Sequence, residues 1–186
     1  MKRHLIFTGL LGLLLTGCVK DLDTPTVGEG DTTLPIQLYN EISQIPTTRV
    51  NDEGFCNGDG VGVYVVNYEN GSAGTLRLEG NQADNVRYVY DEPNGKWTPD
   101  EAVYFQDKHT HVDLIGYYPY STPTSVEAYP FEVAKDQSTD AANGLLGGYE
   151  ASDFLWGKTV DVAPTAQRIN IKFQHRMAGA LVSLSE

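Results

Sequence analysis

The chain has 186 residues, of which 40% are hydrophobic and 10% aromatic, a composition long and apolar enough to order a domain around a core. Twenty-five acidic residues against thirteen basic ones give a net charge of −12, which argues against binding nucleic acid through its phosphates. The same charge favours solubility without choosing a fold.

At the N-terminus Lys2 and Arg3 precede an apolar stretch from Leu5 to Leu15, shorter than the roughly 20 residues that span a bilayer. Leu15-Thr16-Gly17-Cys18 follows at once and resembles a bacterial lipobox, in which small residues let a signal peptidase cut before a cysteine carrying diacylglycerol. The position and spacing favour this over an ordinary secretory signal with a chance cysteine. Residues 1–17 are therefore expected to be a lipoprotein signal peptide and Cys18 the lipidated residue, held to the membrane at about 0.8 kcal/mol per buried methylene. Cutting there removes Lys2 and Arg3 and no acid, which takes the charge from −12 to −14. With Cys18 acylated, Cys56 is the one remaining thiol, so no intrachain disulfide can form. No histidine stands near it in sequence to act as a base, and a semi-buried structural cysteine is the expectation.

Residues 18–33, rich in Asp, Gly, Thr and Pro, read as a flexible tether, with the folded domain running over 34–186. Leu34, Ile36 and Leu38 alternate with Pro35, Gln37 and Tyr39, a first strand whose proline suggests an edge. Gln44 to Asn51 reads as an exposed loop. Further strands are expected at Val61–Tyr68 after the turn signal NGDG, at Thr75–Leu78, at Val86–Tyr90, and, beyond the turn EPNGK, at Ala102–Phe105. Others follow at Val112–Tyr118, Ser125–Val133 and Thr159–Asp161. In the closing stretch Ile169, Ile171 and Phe173 alternate with Asn170, Lys172 and Gln174, and a second apolar run covers Ala180 to Leu184. ASDFLWG holds the only candidate helical turn. Seven or more short strands with frequent turns predict an all-β fold, a β-sandwich or a Greek-key barrel, with the aromatic residues from Tyr64 to Tyr129 filling or flanking its core.

Few constellations carry chemistry. Asp107, His109, His111 and Asp113 share one parity, so a strand there would project two imidazoles and two carboxylates from one face; without a visible third ligand, a solvated strand face explains them better than zinc. His175 has the parity of Ile171 and Phe173 and reads as a hydrogen-bonded core histidine. NGDGVGVY, residues 57 to 64, has three alternating glycines but neither the spacing nor the following helix of a phosphate cradle, and reads as a tight turn feeding a strand. No catalytic, cofactor-binding or metal-ligating set emerges, and nothing makes a positive case for an enzyme. Trp97, Trp156, Tyr117, Tyr118 and Tyr120 could stack on sugar rings, which keeps a surface glycan-binding lipoprotein as the alternative function.

Several motifs then fall into one order: the lipobox, FCNGDGVGVY (55 to 64), KWTPDEAVYF (96 to 105), VDLIGYYPY (112 to 120), DQS (136 to 138), SDFLWG (152 to 157) and INIKFQHRMAGALVSL (169 to 184). Together they resemble the fimbrillin, or Mfa-like, family of Bacteroidales, lipoprotein-precursor subunits of type V pili. The resemblance implies an N-terminal domain that is a Greek-key β-sandwich of transthyretin-like type and that in family members continues into a second one, here expected to be missing. It implies a palmitate-type acyl anchor on Cys18, an outer-membrane precursor displayed at the cell surface, and a structural or adhesive subunit of the fimbrium. Lys20-Asp21 is similar to part of the export signal of such lipoproteins, although Leu22 interrupts its acidic run. A trypsin-like maturation protease cuts family members after an arginine in the loop following the first strand, a position that Arg49, followed by Val50, matches. Cleavage there would release the strand bearing Leu34, Ile36 and Leu38, and a strand from another copy or a related pilin subunit would take its place.

Overall fold

Short runs of Val, Ile and Tyr between turn residues give an almost wholly β structure. The computed structural model describes residues 33–42, 54–142 and 145–176, all of which fall in one unit, Asp31–Glu186. Eight strands follow in order: β1 (Leu38–Ile42), β2 (Gly60–Glu69), β3 (Ser72–Ala73), β4 (Ala83–Asp91), β5 (Lys96–Pro99), β6 (Val112–Tyr118), β7 (Leu155–Val162) and β8 (Ile169–His175). They form one sheet in the order β1-β8-β7-β6-β2-β4-β5, with β3 paired to β2. The β1–β8 pair is parallel and the other pairs are antiparallel. The expected all-β fold of seven or more strands is the one observed, a sheet curled almost into a barrel and consistent with a β-sandwich.

The central strands β2 and β6 are covered on both faces, and their sequences show why. Val61, Val63 and Val65 of β2 and Val112, Leu114 and Tyr118 of β6 point into the main core with Phe105, Ile171 and Phe173. Tyr64, Val66, Ile115 and Tyr117, of the opposite parity, form a second cluster beneath Leu76, Val126, Tyr129, Phe154 and Trp156. All seven residues of β6 are buried, so this strand reads as a continuous apolar run rather than an alternation. β8 is covered on one face only and keeps its alternation, with Ile169, Ile171 and Phe173 buried.

Two expected strands are absent, for one shared reason. Residues 75–78 and 125–133 are not in the ladder; Leu76, Val126 and Tyr129 instead lay their side chains over the outer cluster. Their hydrophobicity reflects cover, not pairing. Ala102–Phe105 reduces to an isolated bridge, Pro35 with Tyr104. β5 shows no alternation that would predict it, because in Lys96–Pro99 only Trp97 is buried. The helical turn expected in ASDFLWG is a 3₁₀ turn at Glu150–Ser152, after which β7 starts at Leu155, four residues before the expected Thr159.

Where β8 crosses its neighbours, side-chain volume is scarce. Gly116 and Gly157 are direct partners in the β6–β7 ladder. A Cβ on Gly116 would lie 2.8 Å from Phe173 Cζ, and one on Gly157 would lie 2.8 Å from both Ile171 Cγ2 and the Lys172 carbonyl oxygen. The glycine pair lets the Phe173 and Ile171 side chains lie against the sheet. We expect Gly116→Val to lower stability by about 1–3 kcal/mol through this overpacking, read as a lower denaturation midpoint of the full chain.

Asp113, a buried residue of β6, carries the only acidic side chain on that strand. Burial opposes its charge, but Lys158 Nζ at 2.7 Å and the backbone N–H of Asp161 at 3.0 Å outweigh that and hold the carboxyl below its usual range. A depressed carboxyl contributes stability above its unfolded pKa, and that contribution is lost as pH falls through the folded value. Lys158→Met therefore should destabilise the chain at neutral pH, with the difference from wild type shrinking below about pH 4. Denaturation midpoints of the two proteins across pH 3 to 7 measure it.

Candidate functional site: the first strand and its groove

The segment from residue 33 to Ile42 is joined to the sheet along both sides. On one side β1 runs parallel to β8, pairing Leu38 with Ile169, Asn40 with Ile171 and Ile42 with Phe173, and the Ile169 N–H donates to the Gln37 carbonyl at 2.8 Å. On the other, the Ile36 N–H donates to the Val103 carbonyl at 2.8 Å and the Phe105 N–H to the Leu34 carbonyl at 2.9 Å. The segment thus bridges β8 to the residues that follow β5 and closes the curled sheet. Pro35 stands where no donor is needed, its side chain in solvent.

Its side chains follow the alternation of the sequence. Ile36 and Leu38 are each 2% exposed, and Leu34 and Ile42 pack against the same core cluster, while Gln37, Tyr39 and Glu41 face solvent. Behind Ile36 the buried Tyr88 hydroxyl donates to the Ile36 carbonyl at 3.3 Å. Burial raises the Tyr88 pKa well above the usual phenol range, so it serves as a neutral donor. Burying Ile36 and Leu38 alone is worth about 3–6 kcal/mol, against a typical domain stability of about 5–15 kcal/mol. Without this segment, the face of β8 and Phe105 would lie open beside unpaired backbone.

Phe55 closes one end of the same core. Its ring meets Trp97 edge-on at a centroid distance of 4.9 Å, Phe173 at 5.6 Å and Tyr118 at 5.7 Å. The turn after it is clamped by Asp59, whose carboxylate accepts from the Cys56 N–H at 2.8 Å and from the Tyr118 hydroxyl at 3.3 Å; burial nevertheless raises the Asp59 pKa. NGDGVGVY is accordingly a turn feeding β2. Cys56, expected semi-buried, is exposed on that turn, because Phe55 takes the inward position beside it.

Other singled-out residues fall elsewhere. His175 is the expected hydrogen-bonded core histidine: its Nδ1 lies 2.9 Å from Asp153 Oδ1, with both side chains largely buried. Asp107, His109, His111 and Asp113 do not share a strand face. The Asp107 carboxylate accepts from the His109 and Thr110 backbone N–H groups and folds the chain into a turn, which holds the carboxyl below its usual range, and only Asp113 enters β6. His111 pairs with Asp161 at 2.7 Å. Among the described residues no group of three or more such side chains is arranged to hold a metal ion.

The aromatic residues considered for sugar stacking are mostly spent on packing. Trp97, Tyr117 and Tyr118 are 4%, 5% and 1% exposed, so they offer no free ring face. Burial pushes the Tyr117 pKa up to about 12, and its hydroxyl bonds Asn85 and Ser121. Trp156 carries the Arg176 guanidinium 4.9 Å from its ring centroid, and Tyr120 carries that of Arg87 at 5.7 Å. The signal peptide, Cys18, Arg49, Val50 and the run Ala180 to Leu184 lie outside the described residues.

The polar side chain of Asn40, on the buried side of β1, escaped sequence reading; extending the alternation of Leu34, Ile36 and Leu38 by two residues was the available signal. Two solved structures share the fold: a putative cell adhesion protein from Bacteroides uniformis (TM-score 0.52, 20% identity, covering 79% of this chain and 48% of that one) and a fimbrial protein from Bacteroides ovatus (TM-score 0.51, 18% identity, covering 78% and 29%). The chain thus spans about half the length of the first and under a third of the second. No curated protein matches it. The fimbrillin-like family model matches residues 48–186, three quarters of the sequence and every described strand after β1, and the chain therefore belongs to the fimbrillin-like family.

Proposed function

We propose that the chain is a non-enzymatic structural or adhesive subunit of a cell-surface pilus, exported as a precursor lipidated on Cys18 and assembled by strand exchange. Family membership supports the pilus assignment. The observation that carries the mechanism is the closure by residues 34–38: a segment near the start of the chain, hydrogen-bonded to β8 on one side and to residues 103–105 on the other, with Ile36 and Leu38 buried in the core. Hydrolysis of the Arg49-Val50 bond cuts the covalent link between this segment and the rest of the sheet. The severed segment, carrying the lipid, is then held by non-covalent contacts alone. Once it leaves, a strand from another pilin subunit restores the ladder and reburies the apolar wall, a form of strand addition.

In this reading the outer membrane holds the precursor through the lipid and a trypsin-like protease frees the subunit for the fimbrium. Trypsin-like digestion of the full chain is expected to cut after Arg49 and leave Val50 as the new N-terminus, identified by intact-mass measurement. Arg49→Ala should abolish that product. In cells, the same substitution should retain the lipid-bearing precursor and reduce heat-resistant multimers on gels; unchanged processing and unchanged multimers would refute the maturation role.

Ile36→Asp with Leu38→Asp should have a different effect from Arg49→Ala. Burying two carboxylates against β8 is prohibitive, so the segment leaves its groove without cleavage. The expected result is uncut chain that binds a hydrophobic dye strongly and associates in a concentration-dependent way, measured by dye fluorescence and light scattering.

A further inference from the structure

Every core-facing position of the first segment is Leu or Ile except one. The alternation that buries Leu38 and turns Tyr39 and Glu41 outward places Asn40 on the side of Leu38 and Ile42. It pairs in register with Ile171, which has no exposed surface. Asn40 Nδ2 and Oδ1 are both shielded from solvent, and among the described residues neither has a hydrogen-bond partner. A primary amide offers two donors and an acceptor, and burying them unpaired costs more than burying an apolar side chain of similar size.

We propose that Asn40 is a built-in mismatch between the first segment and its groove, and that the groove is better fitted by a strand of another pilin subunit carrying an apolar residue at that register position. The inference rests on the strand-exchange reading and adds a specificity rule to it. The precursor's own segment closes the sheet adequately, through Leu34, Ile36, Leu38 and Ile42, but forfeits one inward position. An incoming strand that keeps the apolar alternation and fills this position pairs the same backbone without stranding an amide. Exchange then runs towards the intersubunit complex, although the backbone hydrogen bonds made and broken are alike.

The test first cuts the full chain after Arg49, so that its own segment is held by non-covalent contacts alone, and then adds an excess of fluorescently labelled peptide spanning residues 33–42, either as the natural sequence or with Asn40→Val. A third peptide with Gln37→Val controls for the strand preference of valine at an outward position. Retention is read by fluorescence anisotropy and on native gels. The Asn40→Val peptide is expected to be held roughly ten-fold more tightly than the natural one, and the Gln37→Val peptide no more than about two-fold more tightly. Asn40→Val within the chain should slow the entry of every peptide by a similar roughly ten-fold factor. Equal retention of the natural and Asn40→Val peptides, or an equal gain from Gln37→Val, would overturn the mismatch while leaving strand exchange intact. Entry of no peptide would overturn strand exchange and the mismatch together.

Discussion

The structure depends on closing a gap. A strongly curled sheet of antiparallel strands has two flanks, here β8 and the residues after β5, and each carries backbone groups that must be paired. The chain meets this requirement with a segment from near its own start, which gives Gln37 to β8 and Leu34 and Ile36 to residues 103–105. The same residues drive two buried side chains into the core. Backbone pairing sets the position of the segment and apolar burial supplies most of its hold. Neither requires a covalent connection to the rest of the sheet, and that independence makes the closing piece exchangeable in principle.

The remainder of the fold is held largely by contacts that do not involve the closing segment. β2 and β6 are clamped between two apolar clusters, and β8 is pressed against the β6–β7 ladder where Gly116 and Gly157 leave room for Phe173 and Ile171. Phe55 seals the core end with three edge-on aromatic contacts. In the proposed exchange, the many contacts of the sheet that do not involve β1 would hold the vacated wall in shape. A preformed groove lowers the ordering cost that an entering strand would otherwise meet.

Where one periodicity dominates, the sequence is easy to read. β8 alternates because one face is wet, and β6 runs from Val112 to Tyr118 as expected because seven consecutive residues are buried. The failures come from residues whose side chains do work that a strand period does not report. Val126 and Tyr129 cover the outer cluster from a loop, Trp97 fills the core from a strand too short to announce itself, and Asp107 breaks a strand parity by capping a turn with its own carboxylate. The alternation of Leu34, Ile36 and Leu38 made the closing segment visible. That β8 is its parallel partner and residues 103–105 lie on its other side was not visible, since these contacts join positions more than sixty residues apart and local pattern holds no record of them.

Native-state hydrogen exchange, followed by mass spectrometry on the intact chain, tests the central claim most directly. If the first segment is an independently held closing piece, the amides of Ile36, Phe105 and Ile169, each donating across one of its two seams, exchange together through an opening of lower free energy than that protecting β2 and β6. If those amides exchange only as fast as β2 and β6, through global unfolding, the segment is an inseparable part of the core and the account fails.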